Sequence, residues 1–340
     1  MTSKEKINKI FNLSANKSGF WTGNPKEETV ELYLDKLNLK TREELYTCLN
    51  DDCRWIRPES ENAYKHPEGK PMFDPTGGVE KTHHGQDGYF ADCKSLKEVE
   101  NYSWPDPDYL DFSEVLSKID QFPDKAIFTG LWSPFFHLVS DFFGMENYFV
   151  KMYTDPEIVK AVTDHIVDFY VEANRRFFEE LGDKAEIFFF GNDFGTQQDL
   201  LISPDNFKEF VLPGFQKLIN VAKDYDKKVL LHSCGSIYKV IPFLIDAGID
   251  GLHPLQAQAR NMEAKKLTRE FKKDIAFVGG VDTQDLLVNA TPEEIKEEVY
   301  RLREVFGANF IVSPSHEALL PNVPLENTLA MAEAAKEINQ

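Results

Sequence analysis

His232 and Cys234 close an apolar run, KVLLHSC over 228–234, with an imidazole and a thiol two residues apart. Side chains alternate faces in extended backbone, so the two point to the same side. An imidazole beside a thiolate suits zinc, and a third ligand from a distant segment would leave one coordination position open for substrate. His316, in SPSH at the end of another apolar run, is the candidate third ligand. The competing reading is a hydrogen-bonded core histidine beside a small buried cysteine, a common fate of a free thiol.

Polar residues gather at other run ends as well. Asn192, Asp193 and Gln197 follow one run, His253 and Gln256 another, Asp282 and Gln284 a third, and Ser315, His316 and Glu317 a fourth. Asp193 and Asp282 are candidates for proton transfer; Asn192, Gln197, His253, Gln256 and Glu317 are candidates for substrate contact. Each has a structural alternative. Asp193 could cap the next helix, Asp282 could shape a turn, and His253 or Gln256 could satisfy strand-end carbonyls. His83-His84 reads as a solvated loop, because adjacent side chains point apart. Cys48, Cys53 and Cys93 have no partners at ligand spacing and read as structural. Trp21, Trp55 and the aromatic stretch 132–149 read as core before pocket lining.

The elements that must position these residues alternate. From about residue 120, apolar runs at 126–132, 186–192, 228–234, 249–255, 274–280 and 309–315 read as strands buried on both faces. Helical stretches at 156–181, 205–225 and 292–306 lie between them, the last opened by Thr291-Pro292-Glu293. Such alternation implies right-handed βαβ units, in either a barrel or an open doubly wound sheet, whose C-terminal strand ends converge on one site. The first 120 residues are richer in Pro, Gly, Asp and aromatics. They read as short helices near 3–12, 28–36 and 41–49, a hairpin near 70–90, and segments near 19–22 and 53–57 that would complete eight strands. The expectation is one (β/α)8 TIM-type barrel domain over 1–340, with an irregular N-terminal portion, 1–85, that could serve as a lid.

A net charge of −19 repels phosphate backbones and anionic lipid, so nucleic acid and membrane are poor partners. Four cysteines without a disulfide spacing, and a charged start with no apolar core, point to a cytoplasmic protein. No GxGxxG, Walker or GxSxG motif is present, which argues against dinucleotide, nucleotide-hydrolysing and serine-hydrolase chemistry.

Five segments carry a family resemblance: YFADCKSLKEVENYSWPDPDYLDF (89–112), GNDFGTQQDLLISPDNFKEFVLPGF (191–215), LLHSCGSIYKVIPFLIDAGIDGLHPLQ (230–256), FVGGVDTQDLL (277–287) and SPSHEALLPNVPLEN (313–327). Together they resemble the uroporphyrinogen decarboxylase superfamily, which implies a (β/α)8 barrel and makes a homodimer an expectation. The true decarboxylases carry an arginine-rich N-terminal motif for a polycarboxylate tetrapyrrole. Here Arg42, Arg54 and Arg57 are the only arginines before residue 170, and a polyanionic substrate needs a cationic cleft.

The branch that looks closer contains zinc-dependent methyltransferases working with a corrinoid protein. There the HxC pair, matched by His232 and Cys234, holds zinc, and a later strand end supplies a third ligand, usually cysteine. His316 stands at that place. Two imidazoles and one thiolate would leave zinc at +1, a better Lewis acid than the usual neutral centre. The expectation is a zinc-dependent methyltransferase moving a methyl group between a small donor, such as an aryl methyl ether, and a corrinoid carried by a partner protein. Two rivals stand beside it: a decarboxylase acting on a carboxylated substrate, and a non-catalytic corrinoid- or tetrapyrrole-binding protein. The chain has no cobalamin-binding DxHxxG-type motif, so a corrinoid would arrive on a partner.

Overall fold

A computed structural model describes residues 1–78, 87–256 and 258–339. Eight strands run in chain order: β1 (Gly19–Phe20), β2 (Cys53–Trp55), β3 (Ala126–Thr129), β4 (Ile187–Gly191), β5 (Lys228–His232), β6 (Gly251–His253), β7 (Ala276–Val281) and β8 (Phe310–Pro314). All ladders are parallel, β1 pairs with β8, and the sheet order is β1-β8-β7-β6-β5-β4-β3-β2. This is a (β/α)8 barrel, one of the two arrangements the alternation allows, and the segments near 19–22 and 53–57 supply its two early strands.

Strand period explains the layering. On β4, Ile187 and Phe189 face the barrel interior while Phe188 and Phe190 pack against the helices. Leu230, Val278 and Ile311 join the same interior cluster. Continuing the inward series of β5 by two residues from Leu230 brings His232 to the mouth.

The opposite end is closed from below. The helix Ser3–Phe11, held at its start by a Thr2/Glu5 capping box, buries Ile7, Ile10 and Phe11. Those side chains complete the interior cluster under Phe128 and Phe189. The beginning of the N-terminal portion is therefore a plug, while Trp55 and Arg57 of the same portion reach the mouth.

One seam lacks a ladder. Between β1 and β2, Asp52 N–H donates to the Phe20 carbonyl at 3.0 Å, and two side chains do the rest. Phe20 N–H donates to Asp52 Oδ2 at 2.9 Å, and Thr22 N–H donates to Asp51 Oδ2 at 2.7 Å. Lys6 pairs with Asp52 at 2.6 Å, tying the plug to the seam. Burial drives the Asp51 carboxyl up to about 6, against the pull of Arg54 and two amides. Because the folded value lies above the ordinary 3.8, the stability this group contributes is full below that value and is lost as pH rises through about 6. Carbon-detected NMR of the Asp51 carboxyl should show its midpoint near 6; a midpoint near 4 would refute the assignment of a buried, strongly desolvated seam.

Two stretches depart from the periodicity. The expected helix 205–225 is broken into Pro204–Asn206, a π-turn Phe207–Val211 and an α-helix Leu212–Asp224. Pro213 has no N–H to donate, so the turn before it widens, with Leu212 N–H donating to the Phe207 carbonyl. The hairpin expected near 70–90 is not formed by residues 71–78 or 87–90, which are turns and bends. Its middle, with His83 and His84, lies outside the described residues.

Candidate metal centre

Ladder register sets the centre. His232 pairs with Gly191 on β4 and with His253 on β6, so all three sit at one level of the barrel. Gly191 has to be glycine: a Cβ there would lie 2.5 Å from the Trp132 ring and 2.8 Å from His232 Cβ. The vacant space lets Trp132 pack its edge on His232, ring centroids 5.2 Å apart. Past the strand end, Cys234 N–H donates to Asp193 Oδ1 at 2.7 Å, which draws the two loops together.

The result is two groups of donors sharing one imidazole. On the Nε2 side, Cys234 Sγ lies at 3.4 Å and Asp193 Oδ1 at 3.3 Å. On the Nδ1 side, His253 Nδ1 lies at 3.0 Å and Glu317 Oε2 at 3.6 Å. Within each of the sets Asp193–His232–Cys234 and His232–His253–Glu317 the ligand atoms lie within 4.8 Å of one another.

The family model for uroporphyrinogen decarboxylase matches residues 89–338, which contain every one of these donors. The chain belongs to the uroporphyrinogen decarboxylase family. Within this family chain, 245 residues are 27% identical to the methylated-thiol–coenzyme M methyltransferase of Methanosarcina mazei, over 70% of this chain and 62% of that protein. Another 26% identity extends over 191 residues of the methylcobamide:CoM methyltransferase MtbA of Methanosarcina acetivorans, 56% of this chain and 52% of that one. The chain thus spans about half to six-tenths of these relatives' length. A solved methyltransferase from M. mazei superposes over 99% of both chains with a TM-score of 0.68 at 18% identity, which establishes the shared fold.

Electrostatics at the family site are set by packing of charges around His232. Burial works against its charged form, but the bond to Asp193, then Cys234 and Glu317, outweigh it and raise its pKa well above the usual value. Burial also disfavours the Asp193 carboxylate, yet His232 and the Cys234 amide bring it down to about 2. Burial lifts the Cys234 thiol, with His232 opposing. His253 is pushed the other way, by burial first and then by His232, and stays neutral.

Not every sequence candidate joins the cluster. His316 lies with its ring centroid 6.4 Å from His232, accepts the Ala318 N–H on Nδ1 at 3.1 Å, and belongs to neither donor set. Asn192 is 1% exposed, and its amide is engaged by Phe136 N–H at 2.8 Å and the Ser133 carbonyl at 3.1 Å. Asp282 receives the amides of Gln284, Asp285 and Leu286, which fixes the turn after β7. Gln256 Oε1 accepts from Gly235 N–H at 2.9 Å and from Gln197 Nε2 at 3.2 Å, bracing the loop that carries Cys234. Glu317 sits closer to the centre than its sequence position suggests, with Oε2 buried, 3.6 Å from Nδ1 of His232 and of His316, and without a hydrogen-bond partner among the described residues.

Trp132 and Arg57 were not singled out as site residues by their spacing. Arg57 lies over the rings of Trp55 at 4.5 Å and Trp132 at 5.1 Å and pairs with Glu59 at 2.5 Å. Their signal was the pair of tryptophans at the ends of β2 and β3. Beside His316 and Glu317 opens a cavity of about 630 Å³, lined also by Lys26, Gln256, Gln284 and Leu320.

Proposed function

We propose that this chain is a methyltransferase that moves a methyl group between a corrinoid carried by a partner protein and a small thiol or its methyl thioether, at a zinc ion. The observation that carries the reading is the convergence of Asp193, His232 and Cys234 on one point at the barrel mouth. The similarity to two coenzyme M methyltransferases supports it.

The donor set fits zinc: one imidazole nitrogen, one thiol sulfur and one carboxylate oxygen, with the buried Glu317 Oε2 and His253 Nε2 without hydrogen-bond partners among the described residues. His232 Nε2, Cys234 Sγ and Asp193 would hold the ion, with His316 outside. Bound there, zinc would hold a sulfur substrate and stabilise it as the thiolate at neutral pH. This donor set also changes the expected substrate. Thiolate plus carboxylate leave a formally neutral centre, 2 − 1 − 1 = 0, rather than the +1 that His316 would give. The charge argument for an aryl methyl ether then falls away, and a thiol is favoured.

The chain's own residues have the remaining tasks. Asp193 ties the Cys234 amide and the His232 edge into one rigid unit. Glu317 Oε2, 3.6 Å from Nδ1 of both His232 and His316, places a carboxylate on the far side of the His232 ring from Cys234. The methyl group would then pass as a formal cation to sulfur, whose lone pair forms the new S–C bond, while the Co–C bond breaks and leaves its electron pair on the partner's corrinoid cobalt. Trp132 packs against His232, and Trp55 packs against Trp132. A polycarboxylate substrate is disfavoured, since the mouth presents Asp193, Glu317 and Glu59 against Arg57 and Lys26.

Elemental analysis of the purified protein, with methylcobalamin-to-thiol transfer followed by absorbance, tests the proposal. About one zinc per chain and transfer above the uncatalysed rate are expected. No zinc, and no uptake when zinc is supplied, would sink it.

A further inference from the structure

We propose that His253 is a positioning residue, whose Nδ1 accepts a hydrogen bond from His232 Nδ1–H and thereby aims the His232 Nε2 lone pair at the metal. The inference rests on the metal reading above. An imidazole that ligates through Nε2 must carry its proton on Nδ1, and that N–H needs an acceptor. His253 Nδ1 stands 3.0 Å away, while the carboxylate alternative, Glu317 Oε2, is at 3.6 Å.

Three observations favour a built contact over incidental packing. His253 is fully buried, held between Trp21 at 5.2 Å and Phe189 at 5.3 Å between ring centroids, so its ring has little room to turn. The backbone is pinned as well, with Ser233 N–H donating to the His253 carbonyl at 2.8 Å. The third is a cost. Accepting on Nδ1 leaves the proton of His253 on Nε2, and that buried atom has no partner among the described residues. A site that needed only volume there would be better filled by phenylalanine or leucine. A neutral imidazole in this role, where carboxylates and carbonyls are usual, leaves His232 less electron-rich than a carboxylate would.

Two variants separate the acceptor from the ring. His253→Phe keeps an aromatic ring between Trp21 and Phe189 and removes the nitrogen. His253→Asn gives up the ring and restores an acceptor at nearly the Nδ1 position. Zinc affinity, by chelator competition, should fall about 10- to 100-fold in His253→Phe and stay within a few-fold of the parent in His253→Asn. The thiolate-to-metal band of the cobalt-substituted protein should shift only in the phenylalanine variant. The inference is overturned if His253→Phe binds zinc like the parent, or if both variants weaken it alike. Should His253→Phe fail to fold, His253→Leu serves as the acceptor-free variant under the same criteria. A parent protein that takes up no metal would instead overturn the functional reading itself, and this inference with it.

Discussion

Cys234→Ala is expected to abolish stoichiometric zinc binding and to lower methyl transfer at least about a hundredfold, while His316→Ala keeps the metal. The contrast follows from geometry. Cys234 Sγ lies 3.4 Å from His232 Nε2, within a donor set that Asp193 completes, whereas His316 uses its Nδ1 on the Ala318 amide. On the proposed zinc reading, Cys234→Ala removes one of three protein ligands and the set's one thiolate, and a metal's effect on a bound nucleophile is worth several kcal/mol, with each 1.36 kcal/mol a factor of ten. Asp193→Ala should weaken zinc too, and additionally loosen the Cys234 loop, whose amide the carboxylate holds at 2.7 Å. Zinc stoichiometry across the three variants decides the matter. Loss of the metal in His316→Ala with retention in Asp193→Ala would reverse the ligand assignment, and with it the preference for a thiol substrate.

Deleting residues 1–13 should leave the protein without a cooperative unfolding transition. Ile7, Ile10 and Phe11 are at most 2% exposed and fill the lower layer of the barrel. Burial of such side chains is worth about 1.5–3 kcal/mol each, so together they approach the ~5–15 kcal/mol by which a whole domain is stable. Space left below Phe128 and Phe189 would add a cavity cost. The single change Phe11→Ala is the milder test, expected to cost about 3–5 kcal/mol in urea unfolding with an unchanged slope. A truncated protein that unfolds at the parent midpoint would show that the barrel closes without its plug.

Much of the scaffold was legible because buried parallel strands announce themselves. Runs such as EIFFFG and KVLLH admit few other readings, and both long helices carry a helical period, 156–181 opening on a proline and 292–306 on a capping box. The two early strands were harder to see, since β1 has two residues and β2 three, too short for any period to register. They are defined by the ladders to β8 and β3, which are tertiary facts. The pair His232 and Cys234 was readable from strand alternation. The third donor was not: whether His316 or Asp193 reaches the centre depends on how the backbone turns after β8 and β4. Asn192 and Asp282 show the same limit from the other side. A polar residue at a strand end looks available until the amides it receives are known.

The β1–β2 seam gives the barrel a direction in which it can breathe. Every other junction between strands is a ladder, but this one behaves as the cut in a split ring, clasped by two aspartates. Trp21, the residue that follows β1, lies at that cut and touches Trp55, Phe128, Phe189 and His253 at once. Any widening of the ring would therefore be felt as a shift of the indole that packs against His253.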